Sequence, residues 1–172
     1  MRSGRPGRYH VYGPDERARL VPLRELPEAD AGAPLPVVAA TERDVLLAYY
    51  AGFSLQRQLG QGDAVVVVRF PGSRASMLGP PNDEAIKGHP LAVAGLQPYE
   101  FVEVAHSPWV ARLEEMNRVH PYHSREPYDA LRHFVLPFHD TTFECLADGV
   151  DVAGVFLGTT TSVIAERLGD RS

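Results

Sequence analysis

The chain has 172 residues, of which 44% are hydrophobic and 23% are charged, and its formal net charge is −5. This length is typical of one domain and is sufficient to bury a core without disulfides. The single cysteine, Cys145, excludes an intramolecular disulfide and a multi-cysteine metal site. The negative charge argues against nucleic acid as a partner, and the longest apolar runs are too short for a membrane-spanning helix.

The length of the chain predicts one domain over residues 1–172, and its composition predicts that residues 1–8 are a flexible basic tip. No apolar stretch follows the charged start, so the start does not have the pattern of a secretory signal. A lone cysteine also suits a reducing compartment. The expected location is therefore the cytoplasm.

Strand signals dominate the first part of the chain. Residues 9–12 and 20–23 are short apolar patches. Residues 37–40 and 45–50 are two apolar runs around a polar turn, which predicts a hairpin. Residues 64–70 contain four consecutive valines and predict a strand, because β-branched side chains favour an extended backbone.

Residues 71–98 contain proline or glycine at short intervals, and these residues interrupt helices and central strands. The sequence therefore predicts a long irregular segment here. A segment of this kind in a compact domain is often functional when it is ordered. Residues 99–105 alternate in polarity and predict a strand.

The strongest helix signal covers residues 107–119. Ser107 is a suitable N-cap and is followed by proline at the first helical position. Pro121 disfavours helical geometry in the preceding residue and so predicts the end. The apolar side chains that recur on one face are Trp109, Leu113 and Met116.

The last third predicts a meander of strands at 133–139, 142–147 and 150–157, followed by a short helix at 161–168. Runs of strands with one principal helix predict an α+β fold. We expect a mainly antiparallel sheet of about six or seven strands with the helix at about 107–119 packed on it. Neither a phosphate-binding glycine loop nor a Gly-x-Ser-x-Gly elbow is present.

Most of the seven histidines fall between His89 and His139. His120 and His123 lie three residues apart just beyond the predicted helix end, close enough to share a divalent metal ion. The alternative is that they cap the last helical carbonyls and interact with the helix dipole.

A second candidate is the turn between the strands at 133–139 and 142–147. His139 and Glu144 can approach each other across this hairpin, with Asp140 at the corner. His139 with Glu144 or Asp140 is therefore the predicted acid/base pair for catalysis. Thr142 shares a face with Glu144 and is assigned to substrate binding. The alternative is an ordinary polar turn. Cys145 is either a nucleophile with a histidine base or, as its phase with Phe143 favours, a buried structural thiol.

The third candidate is the loop at 79–91. Its prolines and glycines can hold a group of polar side chains over a pocket as a ligand-binding rim, and the alternative is a solvated acidic loop. The substrate-binding residues predicted in this loop are Asn82, Asp83, Glu84 and His89.

Four segments together carry a resemblance. The sequences Gly-Pro-Pro-Asn-Asp-Glu at 79–84, Gly-His-Pro-Leu at 88–91, the segment at 117–123 and His-Asp-Thr-Thr-Phe-Glu-Cys at 139–145 resemble those of an uncharacterised family of bacterial proteins. The resemblance covers about residues 64–152. It implies that these segments form one unit, and it brings no activity with it.

Two functions follow from these candidates. The first is a small enzyme or small-molecule-binding protein with a His/carboxylate acid-base pocket, assisted by a divalent metal if His120 and His123 bind one. The second is a non-catalytic interaction module with structural histidines. The expected partners are a small molecule and, through exposed strand edges, a second copy in a homodimer. A shared site requires the following side chains to converge on one cavity: His89, His123, His139 and Glu144.

Overall fold

The computed structural model describes residues 10–60 and 62–169. Within these residues the fold is α+β, as the sequence predicts. The strands are β1 (Arg19–Pro22), β2 (Val37–Ala40), β3 (Asp44–Tyr50), β4 (Ala64–Pro71), β5 (Ala75–Gly79), β6 (Val102–Ala105), β7 (Arg132–Pro137), β8 (Thr142–Ala147) and β9 (Asp151–Leu157). The helices are α1 (Phe53–Leu59), α2 (Pro108–Asn117), α3 (Glu126–Asp129) and α4 (Thr160–Gly169), with 3-10 helices at Ile86–Gly88 and Pro90–Ala94.

The strands form two antiparallel sheets, one with the order β1-β6-β7-β8-β5 and one with the order β2-β3-β4-β9. The main core lies between the sheets. It contains Val66 and Phe70 of β4 and Phe134 and Phe143 of β7 and β8, all fully buried. Burying aromatic and branched side chains from both sheets removes a large apolar area from water, which holds the two layers together.

Each sheet also buries its outer face. Helix α4 covers the four-stranded sheet and packs Val163 and Ile164 against Val65 and Val67. The five-stranded sheet is covered by the N-terminal segment, the 3-10 helices and α2. The cluster on this outer face contains Tyr12, Leu91, Leu96, Val102, Trp109, Val135 and Leu146.

The structure differs from the predicted architecture in the number of sheets, since the nine strands found in residues 10–60 and 62–169 are divided between two sheets instead of forming one. The extra strand in residues 71–98 is β5, which is short and lies between Gly72 and Pro80, so the surrounding residues obscured its signal. Two sheets form because β3, β4, β7 and β8 are buried on both faces, so each sheet needs a covering layer on both sides.

The predicted hairpin, the valine-rich strand and the main helix are confirmed. The side chain of Ser107 accepts a hydrogen bond from Val110 N, as expected for an N-cap. Helix α2 buries Trp109, but Met116 is 59% exposed, so the apolar face of the helix is narrower than its sequence pattern predicts. The flexible tip predicted at residues 1–8 lies outside the described residues, and the single-domain expectation stays a prediction.

Candidate functional site

The carboxylate of Glu144 is buried beneath the covering layer of the five-stranded sheet. Glu144 lies in β8, where its register partners are Val135 in β7 and Met77 in β5. Only 1% of its side chain is exposed. Because strand side chains alternate, Phe143 and Cys145 face the main core while Glu144 points to the outer face, into the cluster around Trp109.

Four side chains approach the two oxygens of this carboxylate. On Oε1 the contacts are with His10 Nε2 at 2.7 Å and His89 Nε2 at 3.0 Å. On Oε2 they are with His133 Nε2 at 2.9 Å and the Tyr12 hydroxyl at 2.5 Å. An ionised carboxylate has about four acceptor positions, so these donors match its full capacity.

Different elements bring these donors to Glu144. His133 lies in β7 opposite Leu146, which makes it the diagonal neighbour of Glu144 on the same face. His89 immediately precedes the 3-10 helix at Pro90–Ala94. His10 and Tyr12 belong to the N-terminal segment, which is neither helix nor strand at these residues.

Further contacts orient two of the imidazoles. The backbone N–H of Leu91 donates to His89 Nδ1 at 3.1 Å, so Nε2 carries the ring proton that faces Glu144. The hydroxyl of Ser107 lies 2.8 Å from His133 Nδ1. His10 is different, because its Nδ1 is buried without a hydrogen-bond partner in the described part of the chain.

Burial and the surrounding hydrogen bonds shift the pKa values of the groups in this cluster. Burial raises the pKa of Glu144, but hydrogen bonds from His10, His133 and His89 outweigh it and hold the pKa well below its usual value. Burial lowers the pKa of His133, although Glu144 opposes this effect. Burial, reinforced by the Glu144 charge, raises the pKa of Tyr12. Glu144 is therefore ionised, and His133 is neutral at physiological pH.

Three of these residues have donor atoms in an arrangement that can hold a metal ion. One ligand atom each from His10, His89 and Glu144 lies within 4.8 Å of the other two. A metal–ligand bond to nitrogen or oxygen is about 2.0–2.2 Å long, so two ligands of one ion are at most about 4.4 Å apart. The spacing of the three atoms is therefore close to the spacing of ligands around one ion.

An open groove of about 870 Å³ runs beside this cluster. Tyr12 and Ser107 line the groove, and both contact the cluster directly through Glu144 and His133. The groove walls also carry arginines that are paired with carboxylates, such as Arg132 with Glu103 at 2.6 Å. The volume lies in the range of ligand pockets, and the lining is strongly polar.

A second His–carboxylate group lies at the hairpin corner. His139 Nδ1 is 2.9 Å from Asp83 Oδ2, and the hydroxyl of Tyr99 contacts both residues. The side chain of His139 is 41% exposed. The predicted pair of His139 with Glu144 is not formed, because Glu144 points to the buried outer face while the loop at 79–91 brings Asp83 to the corner. Asp83 also lines a cavity of about 600 Å³.

The other predicted residues of this region have local contacts. Asn82 accepts a hydrogen bond from Ala85 N, and Thr142 donates to Pro81 O, which fastens the loop at 79–91 to β8. Glu84 and Asp140 are exposed. The loop at 79–91 therefore connects the pair of His139 and Asp83 with the cluster around Glu144, because it contributes Asp83 to the first and His89 to the second.

His120 and His123, the predicted metal pair, make separate contacts. His120 is exposed, and its Nδ1 accepts from Tyr122 N at 3.1 Å. His123 Nε2 is 2.9 Å from Glu114 Oε1, and Arg118 also pairs with Glu114. Among the described residues, the three-donor arrangement that a metal requires is found around Glu144 and not here.

Cys145 has the structural role that its position favours. It is fully buried in the main core, and its sulfur lies 3.6 Å from Ser73 Oγ. Burial raises the pKa of this thiol to about 12. A thiol with such a pKa is almost entirely protonated at neutral pH and is therefore a poor nucleophile.

The four side chains that the sequence predicts at one cavity therefore do not converge. His89 and Glu144 meet directly, whereas His123 and His139 contact other carboxylates. Sequence reasoning missed His10, Tyr12 and His133. The register of the β7–β8 hairpin contained a usable signal for His133, since Pro137 opposite Thr142 makes His133 and Glu144 diagonal neighbours. We find no comparable local signal for His10 or Tyr12.

The contact between His139 and Asp83 predicts a measurable titration. The hydrogen bond to Asp83 raises the pKa of His139 above its ordinary value of 6.5. Any stabilisation from this pair is complete below pH 6.5 and is lost as the pH rises through the folded-state pKa. In an NMR titration, Asp83→Asn should lower the pKa of His139 more than Asp140→Asn does, because Asp140 acts only through space. Equal effects of the two variants would contradict the pairing.

Comparisons with known proteins assign no function to this site. No protein-family model, curated protein or solved structure matches this chain. None of the helices in the described residues is long and apolar enough to cross a membrane.

Proposed function

We propose that this protein binds one divalent transition-metal ion through His10, His89 and Glu144. The observation that carries the proposal is the grouping of their three ligand atoms within 4.8 Å on a buried face of the sheet. Imidazole nitrogen and carboxylate oxygen are ligands of zinc, iron and related ions, and a set of two histidines and one glutamate is used in catalytic zinc sites. Zinc(II) is therefore the first ion to test.

Two features of the cluster bear on how a metal would bind. Each Nε2 that faces Glu144 carries a proton, which must leave when that nitrogen becomes a ligand. His10 Nδ1 has no partner among the described residues, so it is available to carry the ring proton. At His89 the same change requires the hydrogen bond from Leu91 N to be given up, so binding involves a small local rearrangement.

We further propose that the metal centre serves a small polar molecule that enters the groove beside it. A centre with three protein ligands leaves a coordination position for water or substrate, as catalytic zinc sites do. Tyr12 and Ser107 connect the groove to Glu144 and His133, which supports an approach from this side. This replaces the predicted acid/base role of His139 with Glu144. The homodimer and the absence of a nucleic-acid partner stay predictions.

Elemental analysis after loading with zinc(II) and dialysis tests the metal proposal. We expect about one zinc per chain in the wild type and far less than one in His10→Ala, His89→Ala and Glu144→Gln, because each variant removes one ligand. The matched control is the double variant His120→Ala/His123→Ala, which should retain the metal. A zinc content well below one ion per wild-type chain would refute the metal proposal. The cluster would then have a structural role, in which the four donors fill the acceptor positions of Glu144.

A further inference from the structure

The N-terminal strap, defined here as residues 10–14, supplies one of the proposed ligands and covers the others. His10 and Tyr12 point inward to Glu144, whereas Val11 between them is 52% exposed. The His10 ring packs edge-on against His89 at 4.8 Å between centroids, and the Tyr12 ring stacks on Trp109 at 6.0 Å. The strap therefore lies over the cluster with alternate side chains inserted.

Among the described residues, side-chain contacts hold the strap in place. Within the described part of the chain, residues 10–14 make no backbone-to-backbone hydrogen bond, and the first regular pairing begins at Arg19, where β1 meets β6. Segments with few backbone hydrogen bonds open at low free-energy cost relative to the core. The strap is thus the part of the site that can move most easily.

The remaining ligands lie in β8 and immediately before the 3-10 helix at Pro90–Ala94, and both are closed off from solvent. The side chains of His89 and Glu144 are 0% and 1% exposed, whereas that of His10 is 14% exposed. With 1% of its side chain exposed, Glu144 has almost no contact with solvent while the strap is in this position. Entry therefore requires the strap to move, and coordination by His10 then ties the strap to the sheet.

We infer that the N-terminal strap is the gate of the metal centre: it opens to admit the ion and is locked by it through His10. This inference rests on the proposed metal centre. Tyr12 is a positioning residue in this scheme, because its hydroxyl fastens the strap to Glu144 at 2.5 Å without being one of the three ligands.

Hydrogen–deuterium exchange of the full chain with and without zinc(II) tests the gate. We expect zinc to slow exchange of the strap amides by at least roughly tenfold, because locking removes their low-energy opening. Val11→Ala is the matched control on the same strap and should behave like the wild type. His10→Ala should lose the protection, since nothing then ties the strap to the ion.

A second measurement separates closing of the strap from ligation. Tyr12→Phe keeps all three ligands but removes the hydrogen bond to Glu144, so a chelator should extract zinc roughly tenfold faster than from the wild type. If zinc binds at one per chain but strap exchange and release rate are unchanged, the gate is refuted and the metal centre stands. If zinc does not bind, both proposals fail.

Discussion

Glu144→Gln is expected to lower the free energy of unfolding by about 3–5 kcal/mol, the usual result of breaking a buried ionic network. Four donors surround the carboxylate. A glutamine amide presents one oxygen and one NH₂ group, so the donors on one side face another donor and stay unpaired. Unpaired buried donors carry their full desolvation cost. Chemical denaturation followed by the fluorescence of the single tryptophan, Trp109, measures the loss.

Glu114→Gln is the matched control for this prediction. Glu114 also bonds a histidine and an arginine, His123 and Arg118, but the Arg118 side chain is 60% exposed. Water can replace those partners, so the loss of stability should be clearly smaller. A Glu144→Gln protein as stable as the wild type would show that the four contacts contribute nothing to the fold.

Zinc(II) is expected to raise the thermal stability of the wild type by a large amount. A ligand that binds only the folded state contributes about 2.7 kcal/mol when its free concentration is 100 times Kd. For a chain of this size each kcal/mol corresponds to about 2–4 °C, which gives an increase in Tm of roughly 5–11 °C. Differential scanning calorimetry measures this increase, and a chelator should reverse it.

Two variants test whether the increase in Tm comes from zinc bound at the proposed site. His10→Ala should show little of the increase, because the ion loses a ligand and its hold on the strap. His139→Ala should keep the full increase, because His139 contacts Asp83 at the hairpin corner and not Glu144. If zinc raised the Tm of His10→Ala as much as that of the wild type, the ion would be bound elsewhere on the chain.

Local sequence patterns determined much of the scaffold of this protein. The valine run predicts β4, and Ser107 with Pro108 predicts the start of α2. Alternation also assigns the faces of β7 and β8, with Phe134 and Phe143 toward the main core. These features can be predicted from the sequence because they depend on residues only a few positions apart. The steric and hydrogen-bonding preferences of such residues are the same in every protein.

The candidate site was decided by tertiary structure. Glu144 was singled out from the sequence, but its partners are 132 residues away at Tyr12, 55 at His89 and 11 at His133. No periodicity spans such distances, because contacts between remote segments depend on which strands are adjacent and on where the covering segments cross the sheet. The hairpin register alone links His133 to Glu144, whereas His10 and Tyr12 reach the carboxylate because the N-terminal segment crosses this face of the sheet.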